Sequence, residues 1–419
     1  MTSNGHSERV VLNPRIQPTH YDLELCPDLD ALTFTCNESI KLTISEANLT
    51  SITLHSKEIH IEEASLTCSA ASAEPPMAVE SISYNRKMTT VTLTFGSAFP
   101  TGEAVLSIKY QGILNGDMAG FYRSSYSDAD GKKKIMASTQ FESLDARRAF
   151  VCVDEPAVKA TFSVALVLPA YLTALSNMPE KSSTHLPARK DVAYKKVCFD
   201  VSPKMSTYLL AWAVGEFDHV SGVTKGGVAL RVFSPPGRAA QGAFALDAGI
   251  RALDFYDDFF KVPYPLPKMD MICITEFAMG AMENWGLVTY RESALMIDDD
   301  KASIQQKQRV AIVVAHELAH QWFGNLVTMS WWDGLWLNEG FAAFMEHFCV
   351  DALYPEYKIW EQYTTDAFGA AQVSCRADLH PTTLFLLLLY LPFHYATSCP
   401  LIFPLRSRFA HSTTPPPPS

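Results

Sequence analysis

Apolar and polar residues alternate with a period of two along 21–25, 39–44, 90–95, 104–110 and 161–168, and turn-forming residues separate the runs. Such alternation puts every second side chain on one face of a pleated strand, so these segments predict an all-β region with one face buried. Residues 205–220, MSTYLLAWAVGEFDHV, read as its last strand, and Met178-Pro179 after Ser176-Asn177 marks a turn on the way there. The period changes near residue 215. Over 241–260, Phe244, Leu246, Ile250, Leu253, Phe255 and Phe259 recur at helical spacing, and Val262-Pro263-Tyr264-Pro265 ends the helix. A strand at 270–275 leads into a loop at Gly280. The apolar run 310–314 would bury one face of a further helix, for which Gly324 offers a stop.

After about Ala371 neither period continues. Leucines, prolines and serines follow without order, and the chain closes on STTPPPPS, a low-complexity polyproline II segment. The apolar run 384–393 is about half the roughly twenty residues a membrane-spanning helix requires, and Pro392 interrupts it. The expected organisation is therefore three-part: an N-terminal β domain over 1–215, a catalytic α+β domain over 216–371, and an aberrant, disordered tail over 372–419, of mis-spliced or read-through origin or, as the competing account, an interaction tail or short hydrophobic anchor.

The helix predicted around 310–320 carries His316-Glu317-Leu318-Ala319-His320. Positions i and i+4 stack on one helix face, so both imidazoles can aim at one point, and Glu317 lies a helical step round, where it can act as general base on a metal-bound water. Glu339, in Leu337-Asn338-Glu339-Gly340, can add a carboxylate from a following helix. Two His and one Glu leave the fourth position of a tetrahedral zinc open for water. One Zn2+ per chain is the expected cofactor. Trp322, Phe323, Trp331, Trp332 and Trp336 cluster around the motif and read as core.

Composition narrows the class. With 48% hydrophobic and 19% charged residues the chain can bury a sizeable core, and a net charge of -11 disfavours nucleic acid and anionic membranes as partners. Nine cysteines, odd in number and without paired spacing, predict reduced thiols; the polar start MTSNGHSERVVLNP lacks a signal-like apolar run, so a cytoplasmic location is expected.

The stretch 316–342, HELAHQWFGNLVTMSWWDGLWLNEGFA, resembles the zinc aminopeptidases related to aminopeptidase N, particularly the puromycin-sensitive type. Residues 280–292, GAMENWGLVTYRE, are similar to that family's exopeptidase signature, and 118–126 and 139–162 also look like family sequence. The resemblance runs from about Pro18 to Ala371. It implies a sandwich-like β domain followed by a thermolysin-like gluzincin domain cut short within the catalytic part, and peptides with a free N-terminus as substrates. A free α-amino group is largely a cation at neutral pH, and a carboxylate is its simplest selective partner. Similarity assigns that role to Glu283 within Gly280, Ala281, Met282, Glu283 and Asn284, with Glu142 as a second amine-binding position. The family also uses an oxyanion-stabilising tyrosine in a Ser-Tyr-x-Lys-Gly-like setting. Nothing after Ala371 matches it, and Tyr390 and Tyr395 lack that context. Two functions are thus expected: a zinc aminopeptidase with Glu317 as general base, or, as the alternative, a catalytically impaired truncated fragment that binds only zinc or peptide.

Overall fold

Each alternating segment lies within a strand of the computed structural model, which describes residues 11–69, 75–128, 130–298 and 300–363. Ile16–Asp28 is the hub of a ten-stranded sheet: it pairs antiparallel with Thr33–Ile44 on one side and parallel with Thr161–Pro169 on the other. Its even spacing buries Tyr21, Leu23 and Leu25, and the same face continues through Phe34, Ile40 and Leu42 to Leu106, Ile108 and Tyr110. Gly120–Ser127, Lys133–Gln140, Thr173–Ser176 and Trp212–Gly215 make a separate four-stranded sheet.

Between these sheets lie the aromatic residues of segment 141–162. Phe150 meets Tyr21 edge-on at 5.7 Å between ring centroids, Phe162 stacks on Tyr21 at 5.1 Å, and Phe141 meets Trp212 at 5.5 Å. A buried Arg147–Asp154 pair (Nε to Oδ2, 2.9 Å), with Arg147 also donating to Thr89 Oγ1 at 2.6 Å, ties the segment together beside Glu142. Buried apolar rings and a guanidinium that donates from all three of its nitrogens hold this loop in place.

Residues 205–220 are not one strand. Residues 207–209 form a helical turn, Trp212–Gly215 pairs with Thr173–Ser176 and Lys133–Gln140, and Asp218–Val223 already belongs to a third sheet. Tyr208 and Leu209 are buried within that turn, so their apolar character reflects core packing rather than strand pairing.

The third sheet is mixed, in the order Asp218–Val223, Ala229–Ser234, Lys268–Ile274, Leu287–Arg291, Ala281–Met282, with its three central strands parallel. All seven residues of Lys268–Ile274 are buried, as a parallel strand covered on both faces requires. Helices α1 (Ala243–Phe260), α2 (Glu292–Leu295), α3 (Ile304–Ala319) and α4 (Leu335–Leu353) follow in the chain. In α1 the buried face is Ala245, Ala248, Gly249, Ala252, Leu253 and Tyr256; of the predicted apolar set only Leu253 is buried, and Phe259 is 49% exposed. Small residues won because the helix lies close to the sheet: a Cβ on Gly249 would sit 2.9 Å from the Met271 methyl.

Helix α3 starts on a capping box, Ser303 with Gln306, and ends at His320, four residues before Gly324. Gly324 instead sits in the following turn at φ +129, where its missing side chain leaves room beside His320 Nδ1. These sheets and helices belong to the compact unit Met1–Tyr357; the other unit is Lys358–Ser419. The predicted tail over 372–419, with Tyr390 and Tyr395, and the last residues of the predicted catalytic domain, 364–371, lie outside the described residues. Among the described residues no helix is long and apolar enough to cross a membrane, and seven cysteines are free thiols.

Candidate active site

Helices α3 and α4 are held together from α1. The buried Tyr256 hydroxyl lies 2.9 Å from Ala315 O and 3.1 Å from Met345 O, one on each helix. On that scaffold, ligand atoms of His316, His320 and Glu339 all come within 4.8 Å of one another. The two Nε2 atoms are 3.0 Å apart; His316 Nε2 is 3.3 Å from Glu339 Oε2, and His320 Nε2 is 3.8 Å from Glu339 Oε1. Ligands about 2.1 Å from a tetrahedral zinc stand roughly 3.4 Å apart, so the set fits that ion. Both rings have their remaining nitrogen engaged outside the cluster. His320 Nδ1 donates to Phe323 O at 2.9 Å, and His316 Nδ1 pairs with Glu346. Each imidazole is thereby turned with Nε2 facing the shared point.

The electrostatics follow from burial and crowding. Burial, then the charge of His316, pushes His320 down to about 4. For His316 burial acts downward, but its bonds to Glu339 and Glu346 outweigh it and raise the ring well above the usual range. Burial lifts Glu339, but the bond to His316 together with the charges of His320 and His316 outweighs it, leaving the carboxyl below the usual carboxylate range. An ion bound here would replace these proton-mediated contacts.

Glu346 was not among the residues expected from sequence. It stands seven positions after Glu339, two helical turns along the same face of α4, and that spacing was the available signal. Replacing Glu346 with Gln is expected to weaken zinc binding by about 10- to 100-fold, the usual cost of losing a carboxylate behind a ligating imidazole. Competition with a chromogenic chelator measures this; unchanged affinity would remove Glu346 from the site.

Three more carboxylates surround the cluster. Glu317 is 5% exposed, Glu283 is 3% exposed, and Glu142 follows the strand Lys133–Gln140; each has one buried oxygen without a hydrogen-bond partner, namely Glu317 Oε2, Glu283 Oε1 and Glu142 Oε1. Burial and then the charge of Glu339 raise Glu283 to about 7, and burial followed by Glu283 and Glu339 raises Glu142 well above its usual range. Burial also raises Glu317, which the charges of Glu283, Glu339 and Glu142 add to against His316. Desolvated acids that repel one another make a pocket in want of a cation.

The loop carrying Glu283 is built from its main chain. Ala281–Met282 pairs with Thr289 and Tyr290, Asn284 Nδ2 donates to Thr289 Oγ1 at 3.2 Å, and Arg291 N donates to Gly280 O at 2.9 Å. Beside Gly280 a Cβ would meet nothing closer than Arg309 Nη2 at 3.8 Å, so that edge is open. Glu283 O accepts from Asn325 Nδ2 at 2.9 Å, and Gln321 Nε2 lies 3.5 Å away, which connects the loop to the turn after α3. Asn325 and Gln321 carry no motif of their own and were also missed from sequence. Of the predicted core aromatics, Trp322 is buried, with Nε1 donating to Val262 O at 2.8 Å. Phe323, Trp331, Trp332 and Trp336 are only half-buried.

Known proteins are similar to this chain in sequence. Residues 17–209 match the Peptidase M1 N-terminal domain and residues 244–384 the Peptidase family M1 domain. Aminopeptidase M1 of Arabidopsis thaliana is 48% identical over 367 residues, covering 87% of this chain and 41% of that protein. Puromycin-sensitive aminopeptidase of Caenorhabditis elegans is 48% identical over 366 residues, 87% of this chain and 38% of that protein. Alanine/arginine aminopeptidase of Saccharomyces cerevisiae is 45% identical over 362 residues, 85% and 41% respectively. The chain thus spans about 40% of the length of the curated relatives it matches. A His-His-Glu cluster beside buried acids, on a β-rich N-terminal part and a mixed-sheet part that each match their counterpart domain, makes this chain a member of the M1 peptidase family.

Proposed function

We propose that the chain is a zinc-dependent aminopeptidase that hydrolyses the first peptide bond of cytosolic peptides with a free N-terminus, its β domain over 1–215 and its thermolysin-like domain over 216–371. The observation that supports this most is the set of unpartnered, buried oxygens on Glu142, Glu283 and Glu317 around the His316, His320 and Glu339 cluster. Relatives named as aminopeptidases support the same reading. The free thiols of the described cysteines suit a reducing compartment such as the cytosol.

In this reading His316, His320 and Glu339 would hold a zinc ion, which would supply Lewis-acid polarisation of the scissile carbonyl and a lowered pKa for a water at the site. Glu317 accepts a proton from the attacking water and returns it to the leaving amine. Glu283 and Glu142 take the substrate ammonium on their free oxygens, which fixes the chain end at one distance from the cluster and presents only the first bond. The raised, mutually repelling acids lose that repulsion once the ammonium enters, so binding is selective for a cation.

The test uses the full chain. Zinc content by elemental analysis, and release of chromophore from an aminoacyl anilide before and after 1,10-phenanthroline, should give one zinc per chain and hydrolysis that disappears with chelation and returns with zinc. One zinc per chain without hydrolysis overturns the aminopeptidase reading and leaves a zinc- or peptide-binding protein.

A further inference from the structure

Three carbonyls in the segment 283–286 are each held by a side chain from a different part of the fold. Glu283 O accepts from Asn325, Trp285 O from Asn177 Nδ2 at 2.9 Å, and Gly286 O from Lys268 Nζ at 2.7 Å. Asn177 belongs to the amino-terminal β region, just after the strand Thr173–Ser176, and Lys268 opens a central strand of the third sheet. Both are buried, at 2% and 4% exposure.

Their other bonds fix where they stand. Asn177 Nδ2 also donates to Leu209 O at 2.7 Å, and its Oδ1 accepts from Ala211 N at 2.8 Å, so the amide is fully committed. Lys268 spends its remaining donors on Ser176 O at 2.6 Å and Asp270 Oδ2 at 2.7 Å; Asp270 is itself gripped by Arg231 at 2.6 and 2.7 Å. The backbones touch as well. A Cβ on Gly286, at φ +83, would lie 2.4 Å from Asn177 O, so only glycine allows the approach. One ammonium and one amide therefore join the β region, the third sheet and the Glu283 loop at a single point.

We propose that Asn177 and Lys268 are positioning residues for Glu283, through which the amino-terminal β region sets the place of the amine anchor; this rests on the reading of Glu283 as that anchor. A carboxylate meant to meet an ammonium at one distance needs a main chain that does not drift, and displacement of about 1 Å can cost about a hundredfold.

The experiment compares, by calorimetry on the zinc-loaded chain, leucine hydroxamate with its desamino analogue, 4-methylpentanoyl hydroxamate. The preference of the native chain for the amine-bearing compound should fall about tenfold in Asn177→Asp, which keeps the acceptor for Ala211 N–H and loses both donations, and likewise in Lys268→Met. Binding of the desamino compound and zinc content should stay as in the native chain. A purely structural role would weaken both compounds alike, and that result, or an unchanged preference, overturns the proposal. If either variant fails to fold, Asn177→Ser read by deuterium exchange over 280–287 replaces it: faster exchange there supports the proposal, and native exchange refutes it. Glu283→Gln is the reference. If it leaves the preference intact, the anchor reading itself fails; if it removes the preference while the other variants keep it, only the positioning role fails.

Discussion

Replacing Glu317 with Gln is expected to lower the rate on an aminoacyl anilide by about 10³-fold, within the 10²–10⁴ that a positioned proton acceptor supplies. Gln has the same shape and cannot take the proton of the attacking water. Zinc content should not change, because Glu317 is not one of the three residues whose ligand atoms converge. Nor should the fold suffer: burial raises this carboxyl, the attraction of His316 is opposed by the charges of Glu283, Glu339 and Glu142, and its Oε2 has no partner to lose. Single-turnover rates beside elemental analysis and a melting curve decide the matter. A variant keeping more than a tenth of the rate would take the proton-transfer role away from Glu317.

Sequence and structure agree best where a side-chain period is imposed by a buried face. The alternation in Ile16–Asp28 and Gly102–Ile113 survives because a slip of one residue would expose Leu23 or Leu106, each fully buried. The spacing of His316, His320 and Glu339 was readable because helix geometry alone brings i and i+4 together, and a second helix then supplies the third group. What sequence misreads is decided by contact between distant parts. The buried face of α1 follows the nearness of Met271 and Leu230 rather than its own largest apolar residues. Residues 205–220 look like one strand because a buried helical turn is as apolar as a strand. Gln321, Asn325, Asn177 and Lys268 act through backbone carbonyls, and such bonds leave no local pattern; Glu346 acts through the far nitrogen of His316 and shows in the sequence only as a spacing of seven from Glu339.

The same logic separates charge from scaffold at Glu283. Its main chain is held at O by Asn325, and its neighbours by Asn177, Lys268 and Thr289, while its carboxyl Oε1 holds nothing. Glu283→Ala should therefore leave the loop in place and remove only the acceptor. Losing one partner of a desolvated ion pair costs about 3 kcal/mol, roughly a hundredfold. The expected result is a fall of about 10²-fold in kcat/KM for a free-amine anilide, with little change for its N-acetyl counterpart, whose amide nitrogen carries no charge to lose. Glu142→Ala should act in the same direction and less strongly, since Glu142 is only half-buried and water can take up part of its work. The double variant should lose less than the two separate effects combined, because both acids meet one ammonium and the charge of Glu283 already raises Glu142. Steady-state kinetics on the paired substrates test all three variants. Equal losses on the free and acetylated anilides would mean that Glu283 holds the pocket together rather than selecting the cation.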